Sequence, residues 1–303
     1  MEINKINKMK KMRIFKALTG SLTGSKLKKC LFILSLGLIS MGAMSNPKLA
    51  SKQQIGMFMN SKTCVVLEDG ISFYNQFIKD AVREYWKTID YEFIDQQEFE
   101  KRRYSTKYSF LVLMKGVFDK DPGGVSYNYM SLVLGDESNN MTKMPEFCSI
   151  PISYSGDNFA DYEYVIPAIV KFMQKHVKVL EEKRFMIYLR GLKYYNVPSD
   201  YKDKVLLLNK DKMAWNADSP EKINAVYPYY IKLLTISEIK EAISTNPPNT
   251  LFMFHVGPPE NAGAGKCFEM IFDVEGNLYY YNYRMITNDN KDGFNLKDFS
   301  NLV

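Results

Sequence analysis

The chain has 303 residues, with 40 Lys and Arg, 34 Asp and Glu, and a formal net charge of +6 at pH 7. Nine of the basic residues and only one of the acidic residues fall within residues 1–29, which leaves 31 basic and 33 acidic residues in the rest of the chain. This balance excludes the basic surface that nucleic-acid binding requires.

The first 45 residues have the pattern of a secretory signal peptide. A basic region precedes the apolar run Leu31–Met44. The small residues Ala43 and Ser45, at the end of this run, have the spacing of a cleavage site. The run is shorter than the roughly 20 residues of a membrane span, and an uncleaved anchor is the alternative interpretation. No cysteine follows the run closely, so we predict no lipid attachment. We expect a periplasmic or secreted protein that has no integral membrane span once residues 1–45 are removed.

The rest of the chain repeats one pattern at an offset of 140 residues. Residues 64–134 and 204–274 each predict a strand, a helix, a strand, a helix and two strands, because short apolar runs alternate with segments of helical periodicity. A fifth strand follows in each half, at residues 147–153 and 277–286. The first two strands of each half, joined through a helix, should run parallel, and the later ones antiparallel.

Helix starts support the repeat. Asp95 with Glu98, and Thr235 with Glu238, have the spacing of a capping box at equivalent places in the two halves. Only residues 219–226 predict the first helix of the second half, so this copy is the degenerate one.

These patterns predict an α/β fold with α+β character, in which two tandem related β-α-β-α-β-β(-β) subdomains with mixed sheets are joined by a long helix. The predicted organisation is a signal peptide at 1–45, a first α/β domain at 46–157, a linker helix region at 158–196 and a second α/β domain at 197–303.

The order of elements in residues 64–134 resembles the small α/β domain at the amino end of the periplasmic propeller protein of the Tol-Pal system. It is also similar to the core of the curli-secretion lipoprotein, and residues 204–274 share the similarity to a lesser degree. The stretches that carry the resemblance are TCVVLED, YEFID, YSFLVLMKGVF and YNYMSLVLGD. The chain departs from both proteins in having no propeller and no lipid-bearing cysteine. The resemblance implies an envelope protein that works through protein contacts.

The stretch ENAGAGKC, residues 260–267, has the spacing of a phosphate-binding loop with two departures. Glu260 stands where the motif has its first glycine, and Cys267 stands where the motif has the hydroxyl that binds Mg²⁺. The residues after Lys266 alternate with a period of two, which predicts a strand where a phosphate loop needs a helix. We expect a connection between two strands, with no nucleotide, cofactor or metal.

Histidine and cysteine show no recognised catalytic or metal-binding spacing. His176 is expected on the long helix and His255 at the end of a strand, and each alone is more typical of a structural role. Export would permit disulfides, but an odd number of cysteines leaves the pairing open. The cysteines beyond the signal peptide are Cys64, Cys148 and Cys267.

Tyrosine is abundant, with 21 residues in the chain. In the last predicted strand, Tyr279, Tyr281 and Tyr283 should share one face, with Tyr280 opposite. Such a face is enriched in protein interfaces, although tyrosines also stabilise ordinary sheets. We predict binding through these three tyrosines and His255, and no catalytic residues.

We therefore predict a non-enzymatic envelope protein that binds another envelope protein or acts as a scaffold in an outer-membrane assembly or secretion system. The alternative is a hydrolase-like periplasmic enzyme with a cleft between the domains, near His255 and the loop of residues 257–265. The oligomeric state is left open.

Overall fold

The structure is a computed structural model that describes residues 48–70, 72–118, 124–138, 140–156, 161–197, 201–245, 247–259, 264–287 and 291–303. Within these residues the chain forms seven α-helices and two mixed five-stranded sheets, which confirms the predicted fold class. None of the described helices is both long and apolar enough to cross a membrane. The predicted signal peptide, residues 1–45, lies outside the described residues.

The first half forms one sheet, in which two helices connect the parallel strands. Its elements are α1 (Lys52–Met59), β1 (Lys62–Val66), α2 (Ser72–Tyr85), β2 (Tyr91–Ile94), α3 (Gln96–Arg102), β3 (Tyr108–Val117), β4 (Ser126–Leu134) and β5 (Glu146–Tyr154). The strand order is β2-β1-β3-β4-β5. Strand β1 runs parallel to β2 and β3, whereas β3, β4 and β5 form an antiparallel meander, as predicted.

The second half builds the same sheet again. Its elements are α4 (Ile166–Arg190), β6 (Val205–Asn209), α5 (Pro220–Asn224), β7 (Ile231–Leu234), α6 (Ile236–Ser244), β8 (Thr250–Val256), β9 (Gly265–Asp273), β10 (Leu278–Ile286) and α7 (Leu296–Ser300). The order β7-β6-β8-β9-β10 and the strand directions match those of the first sheet. Helix α5 has only five residues, which confirms that the first helix is degenerate in this copy.

Strand register relates the two copies residue by residue. Thr63 and Leu206 hold equivalent positions, since each lies opposite the first residue of the next parallel strand. Leu134 and Asp273 are equivalent at the other end of the meander. The spacing between copies is thus 143 residues at the first strand and 139 at the fourth, so the connections differ in length.

The two predicted capping boxes differ in the structure. At α6, the Thr235 hydroxyl accepts the Glu238 N–H at 3.3 Å, and the Glu238 carboxylate accepts the Thr235 N–H at 2.7 Å, which completes the box. At α3, the Asp95 carboxylate accepts the Glu98 N–H at 2.8 Å, but the reciprocal bond is not formed. The Glu98 side chain bonds Lys101 at 2.7 Å, because the next helical turn offers it a charged donor.

Helix α4 packs against both sheets. The Gln174 carbonyl oxygen accepts backbone N–H groups in the connection after α2, on the side of the first sheet. On the opposite side the Phe172 ring lies 6.0 Å from the Phe272 ring, and the Lys171 ammonium donates to the Val274 carbonyl at 2.8 Å. One continuous apolar core therefore includes α4 and one face of each sheet.

The second sheet has a separate core on the face that turns away from α4. Alternate residues of its strands, including Leu251, Met253 and Ile271, pack there against Ile223 of α5 and Phe299 of α7. The carboxy-terminal segment closes this face, and the candidate site lies at the end of the same layer.

Candidate metal centre

The candidate site lies at the carboxyl ends of the parallel strands β6 and β8, the edge where open α/β sheets bind ligands. A cavity of about 400 Å³ lies at this edge. Its wall includes Asp211 after β6, Pro258 after β8 and Asp292 in the carboxy-terminal segment. The three chain segments thus meet around one opening.

Three side chains of the types that can hold a metal ion converge at this edge. His255 Nε2 lies 2.9 Å from an Asp292 carboxylate oxygen and 3.2 Å from the Cys267 sulfur. One ligand atom from each residue lies within 4.8 Å of the other two. His255 and Cys267 are buried, whereas the Asp292 side chain is 39% exposed, so the cluster reaches solvent through Asp292.

Strand alternation places His255 and Cys267 on the same layer. His255 follows Leu251 and Met253 on β8 at intervals of two, which keeps it on the face away from α4. On β9, Glu269 lies directly opposite His255, and Cys267 is two residues earlier on the same face. The layer that is apolar at the middle of the sheet therefore becomes polar at its edge.

Close backbone packing brings Asp292 to the same point. Gly293 has a φ of +95°, and the Phe294 N–H donates to the Lys212 carbonyl at 2.9 Å, which ties this segment to the connection after β6. Gly257 gives the carboxylate its room, since a Cβ there would lie 2.6 Å from an Asp292 oxygen. Any side chain at residue 257 would displace Asp292.

Arg284 connects the cluster to the carboxy-terminal segment. Its guanidinium bonds the fully buried Glu269 carboxylate, lies 3.2 Å from Asp298, and donates to the carbonyls of Lys291 and Gly293. Arg284 thereby holds the segment that carries Asp292 against β9 and β10.

The ionisation states follow from burial and from these contacts. Burial opposes ionisation of Asp292, but the charge and hydrogen bond of His255, with the Cys267 and Gly293 hydrogen bonds, hold the pKa of this carboxyl well below its ordinary value. Burial, and then the Asp292 charge, raise the pKa of the Cys267 thiol well above its ordinary value. Cys267 is therefore a thiol, which donates to Glu269 at 3.0 Å, rather than a nucleophilic thiolate.

The arrangement differs from a nucleophile triad. In a triad the carboxylate bonds one imidazole nitrogen and the nucleophile bonds the other. Here Asp292 and Cys267 both approach Nε2 of His255. Three atoms converging around one point match metal coordination rather than proton transfer along a chain.

Several buried polar atoms of the cluster lack a hydrogen-bond partner among the described residues. They are His255 Nδ1, Glu269 Oε2 and Arg284 Nε. Buried polar atoms are nearly always paired, so this cluster is less completely hydrogen-bonded than buried polar groups usually are.

The first copy of the repeat has an apolar pair where the second has His255 and Glu269. Leu113 and Met130 lie opposite each other in the first sheet and hold the equivalent register positions. An apolar pair therefore suffices for strand pairing at this position, and the polar pair of the second copy faces the carboxy-terminal segment that Arg284 holds in place.

The cluster fits Zn²⁺ after a small expansion. Zn²⁺ binds thiolate sulfur at about 2.3 Å and imidazole or carboxylate atoms at about 2.0–2.2 Å, so tetrahedral ligand atoms lie about 3.3–3.6 Å apart. The observed separations from His255 Nε2 are 2.9 and 3.2 Å. Metal binding thus requires these two separations to widen by about 0.4 Å, which the partly exposed Asp292 side chain can supply.

The predicted tyrosine surface is divided. A β-bulge between Leu278 and Tyr280 shifts the register of β10. As a result Tyr279 packs on the face of the second sheet that turns away from α4, whereas Tyr281 packs against the core that contains α4. Tyr283 is 41% exposed and lies under the ammonium of Lys193 at 5.1 Å. The expectation that the three tyrosines share one face is wrong, because the bulge breaks the alternation.

The loop that resembles a phosphate-binding motif joins two strands. Residues 260–263 lie outside the described residues, but Gly265–Asp273 forms β9, which confirms the predicted strand. The Lys266 ammonium lies 3.3 Å from the centre of the Phe118 ring, where it makes a cation–π contact.

The other histidine and the other cysteines lie apart from this cluster. His176 is buried in α4, where Nδ1 lies 2.7 Å from the Tyr195 hydroxyl oxygen. Cys64 and Cys148 are buried in the first sheet, and all three described cysteines are free. Among the residues predicted to bind, His255 belongs to this cluster, whereas Cys267 and Asp292 were not among the predicted binding residues.

Comparison of the chain with protein-family models, with curated proteins and with solved structures finds no match in any of the three.

Proposed function

We propose that the protein binds a divalent transition-metal ion of the Zn²⁺ class at His255, Cys267 and Asp292. The observation that carries the proposal is the convergence of an imidazole nitrogen, a thiol sulfur and a carboxylate oxygen within 4.8 Å of one another. Sulfur and imidazole donors favour Zn²⁺ over Mg²⁺ or Ca²⁺, which take oxygen ligands.

The charges around the site also favour a cation. Glu269, Asp292 and Asp298 bring three carboxylates to the cluster, and the guanidinium of Arg284 lies between two of them. On binding, the metal takes the place of the Cys267 proton, which is released to solvent. Coordination therefore replaces the two hydrogen-bond contacts that now converge on His255 Nε2.

The test is titration of the full chain with Co²⁺, which stands in for Zn²⁺ and reports its ligands by absorption. We expect binding of one ion per chain and a sulfur-to-cobalt charge-transfer band. The Cys267→Ser variant should lose the band and bind at least about tenfold more weakly. The matched Cys148→Ser variant, which also alters a buried cysteine, should keep both.

Two further pairs separate coordination from folding. His255→Gln should abolish the spectrum while His176→Gln preserves it, and Asp292→Asn should weaken binding while the nearby Asp211→Asn does not. Circular dichroism checks that each variant is folded. A wild-type chain that takes up no Co²⁺, or control variants that lose the band equally, would overturn the proposal.

A second candidate function is metal-assisted hydrolysis. Three protein ligands leave a fourth coordination position, as in catalytic zinc sites, and the cavity of about 400 Å³ adjoins Asp292. Hydrolysis of an activated ester by the Zn²⁺-loaded chain should then depend on Asp292. Equal rates for the wild type and Asp292→Asn would leave metal binding as the function and exclude this second candidate.

Export to the envelope and binding of an envelope protein, in an outer-membrane assembly or secretion system, are proposals that rest on residues 1–45 and on the Tol-Pal and curli resemblance. They are independent of the metal proposal. Fractionation of cells that express the tagged chain, with sequencing of its mature amino terminus, tests cleavage after residue 45.

A further inference from the structure

A second cavity, of about 550 Å³, lies where β10, an edge strand of the second sheet, meets the carboxy-terminal segment. It is separate from the cavity beside Asp292, because the two cavities share no lining residue. Its volume falls within the range of about 300–1,000 Å³ that is usual for small-molecule sites. We call it the β10 cavity.

The lining of the β10 cavity is mostly polar. Sites for aromatic or aliphatic ligands are lined predominantly by apolar side chains, whereas the described lining here includes only three aromatic or aliphatic residues, Ala214, Trp215 and Tyr283. Four asparagines contribute amide groups, which both donate and accept hydrogen bonds, as sugar hydroxyls do. The lining therefore fits a ligand that carries several hydroxyl groups. The four asparagines are Asn216, Asn282, Asn295 and Asn301.

Three lysines give the β10 cavity its charge. Lys193, Lys291 and Lys297 line it, and none of them forms an ion pair with an acidic residue in the described part of the chain. The Lys193 ammonium contacts neutral groups instead, the Asn282 side-chain oxygen at 2.9 Å and the centre of the Tyr283 ring at 5.1 Å. Cations gathered in a cleft raise the local concentration of anions.

The acidic neighbours of the two carboxy-terminal lysines have partners of their own. Asp298, which also lines the β10 cavity, accepts a hydrogen bond from Arg284 at 3.2 Å. Asp292 contacts His255 at 2.9 Å and lines the other cavity. Since these carboxylates are already paired, the lysine ammonium groups are the charges that meet a ligand, which must then be an anion.

Trp215 adds an exposed aromatic face to the β10 cavity. The residue is 72% exposed, although the backbone that carries it is fixed. The Ala217 N–H donates to the Ala214 carbonyl at 2.8 Å, which closes a turn around Trp215. The Lys222 ammonium donates to the Trp215 carbonyl at 3.1 Å. Because the face of an aromatic ring carries negative charge, it attracts the C–H face of a sugar ring.

We propose that the β10 cavity binds a pyranose sugar that carries a carboxylate or phosphate group. The indole of Trp215 packs against the C–H face of the ring, Lys291 and Lys297 bind the anionic group, and the asparagine amides bond the hydroxyl groups. The sugar is either a free molecule or a unit of a polysaccharide. The proposal does not depend on metal binding.

The fluorescence of Trp215 reports binding directly. The chain has two tryptophans, and the other, Trp86, is only 2% exposed. In the full-length Trp86→Phe chain the tryptophan emission comes from Trp215 alone, and glucuronate and glucose 6-phosphate should shift it to shorter wavelength. Neutral glucose should bind at least about tenfold more weakly, because it lacks the charge that the lysines bind. Inorganic phosphate, which has no ring to cover the indole, should leave the emission unchanged.

Four results would overturn the proposal. Glucose that binds as tightly as glucuronate would exclude the lysines, and inorganic phosphate that shifts the emission equally would exclude the sugar ring. A larger shift with adenosine monophosphate than with either sugar would identify a nucleotide ligand instead. The fourth result is an unchanged emission with every ligand from a chain that circular dichroism shows to be folded.

An oligosaccharide identifies the source of the sugar. An oligogalacturonate that binds at least about tenfold more tightly than galacturonate would identify a unit of a polysaccharide as the ligand. Equal affinity per sugar unit would identify a free sugar. The emission of Trp215 keeps this comparison local to the β10 cavity, since a polyanion can also bind basic residues elsewhere in the chain.

A lysine pair tests the charge in a chain that keeps both tryptophans. By calorimetry, Lys291→Gln/Lys297→Gln should bind glucuronate about tenfold more weakly than the wild type. The matched Lys52→Gln/Lys107→Gln chain loses the same charge from exposed positions in the first half and should bind as the wild type does. Equal affinities for the two chains would place the anion elsewhere and overturn the proposal.

An aromatic pair tests the packing of the ring. Trp215→Ala should weaken glucuronate binding about tenfold in the same calorimetric measurement. Tyr230→Ala removes an aromatic side chain of similar exposure, 76%, and should leave the affinity unchanged. Both positions are exposed, so circular dichroism should show both variants folded. Equal affinities for the two variants would contradict the contact between Trp215 and the sugar.

Discussion

His176 makes the stability of the fold sensitive to mild acid. The side chain is buried in α4 between the sheets, with Nδ1 2.7 Å from the Tyr195 hydroxyl oxygen. Burial lowers the pKa of His176 to about 4, against a smaller opposite effect of a hydrogen bond with the Phe147 backbone. The unfolded chain has the ordinary His pKa of about 6.5 and takes up a proton between these two pH values, whereas the folded chain does not.

The sign and size of the effect follow from that difference. The contribution of His176 to the free energy of unfolding is complete above pH 6.5 and is lost as the pH falls towards 4. A pKa difference of about 2.5 units at 1.36 kcal/mol each gives a loss of about 3 kcal/mol between pH 7 and pH 4. This is a large share of the 5–15 kcal/mol typical of a folded domain.

Urea denaturation at several pH values measures the loss. Carboxylates also titrate in this range, so the comparison is with His176→Gln, which keeps a hydrogen-bonding side chain but does not titrate. The wild type should lose about 3 kcal/mol more than the variant between pH 7 and pH 4. Parallel pH profiles for the two chains would refute the assignment of a buried, neutral His176.

Three substitutions test other contacts. Thr235→Ala removes the capping box of α6 and should lower the free energy of unfolding, measured in urea, by about 1 kcal/mol. A loss below about 0.3 kcal/mol would contradict a stabilising role for this capping box. Gly257→Ala should weaken Co²⁺ binding about tenfold because the added Cβ displaces Asp292. The control Gly56→Ala, which has open space at its Cβ, should bind Co²⁺ as the wild type does. Equal affinities for the two variants would contradict the close contact between Gly257 and Asp292. Tyr127→Phe removes the hydroxyl that bonds the β9 backbone at 2.7 and 2.8 Å. The free energy of unfolding, measured in urea, should fall by about 1–2 kcal/mol. An unchanged midpoint would contradict this hydrogen-bonded bridge between the two sheets.

Local sequence patterns were sufficient for the fold. The period-two alternation after Lys266 identified β9, and Ser219 with Pro220 identified the start of the short helix α5. These signals are local because strand alternation and helix capping involve residues only a few positions apart. The same locality explains the repeat, in which equivalent patterns recur in the same order.

The prediction of a shared tyrosine face is wrong because of a local feature, a β-bulge, that the sequence does not reveal. An extra residue near Tyr279 forms a β-bulge, and one extra residue reverses the faces of all that follow. The prediction that alternate tyrosines share one face holds only in a strand of regular register.

The cluster of His255, Cys267 and Asp292 could not be predicted from the sequence because its residues are separated along the chain. Cys267 lies 12 residues and Asp292 lies 37 residues from His255, so no short motif contains all three residues. One signal was available: β8 and β9 have His255 and Glu269 where the first copy has Leu113 and Met130. A polar pair in a buried strand whose duplicate is apolar marks the position in the second sheet where the cluster lies.

X-ray absorption at the zinc edge of the Zn²⁺-loaded full chain tests metal binding by His255, Cys267 and Asp292 most directly. We expect one ion per chain with one sulfur neighbour at about 2.3 Å and the other neighbours, nitrogen or oxygen, at about 2.0–2.2 Å. The sulfur neighbour should be absent in Cys267→Ser and present in Cys148→Ser. A first shell without sulfur in the wild-type chain would contradict the proposed centre.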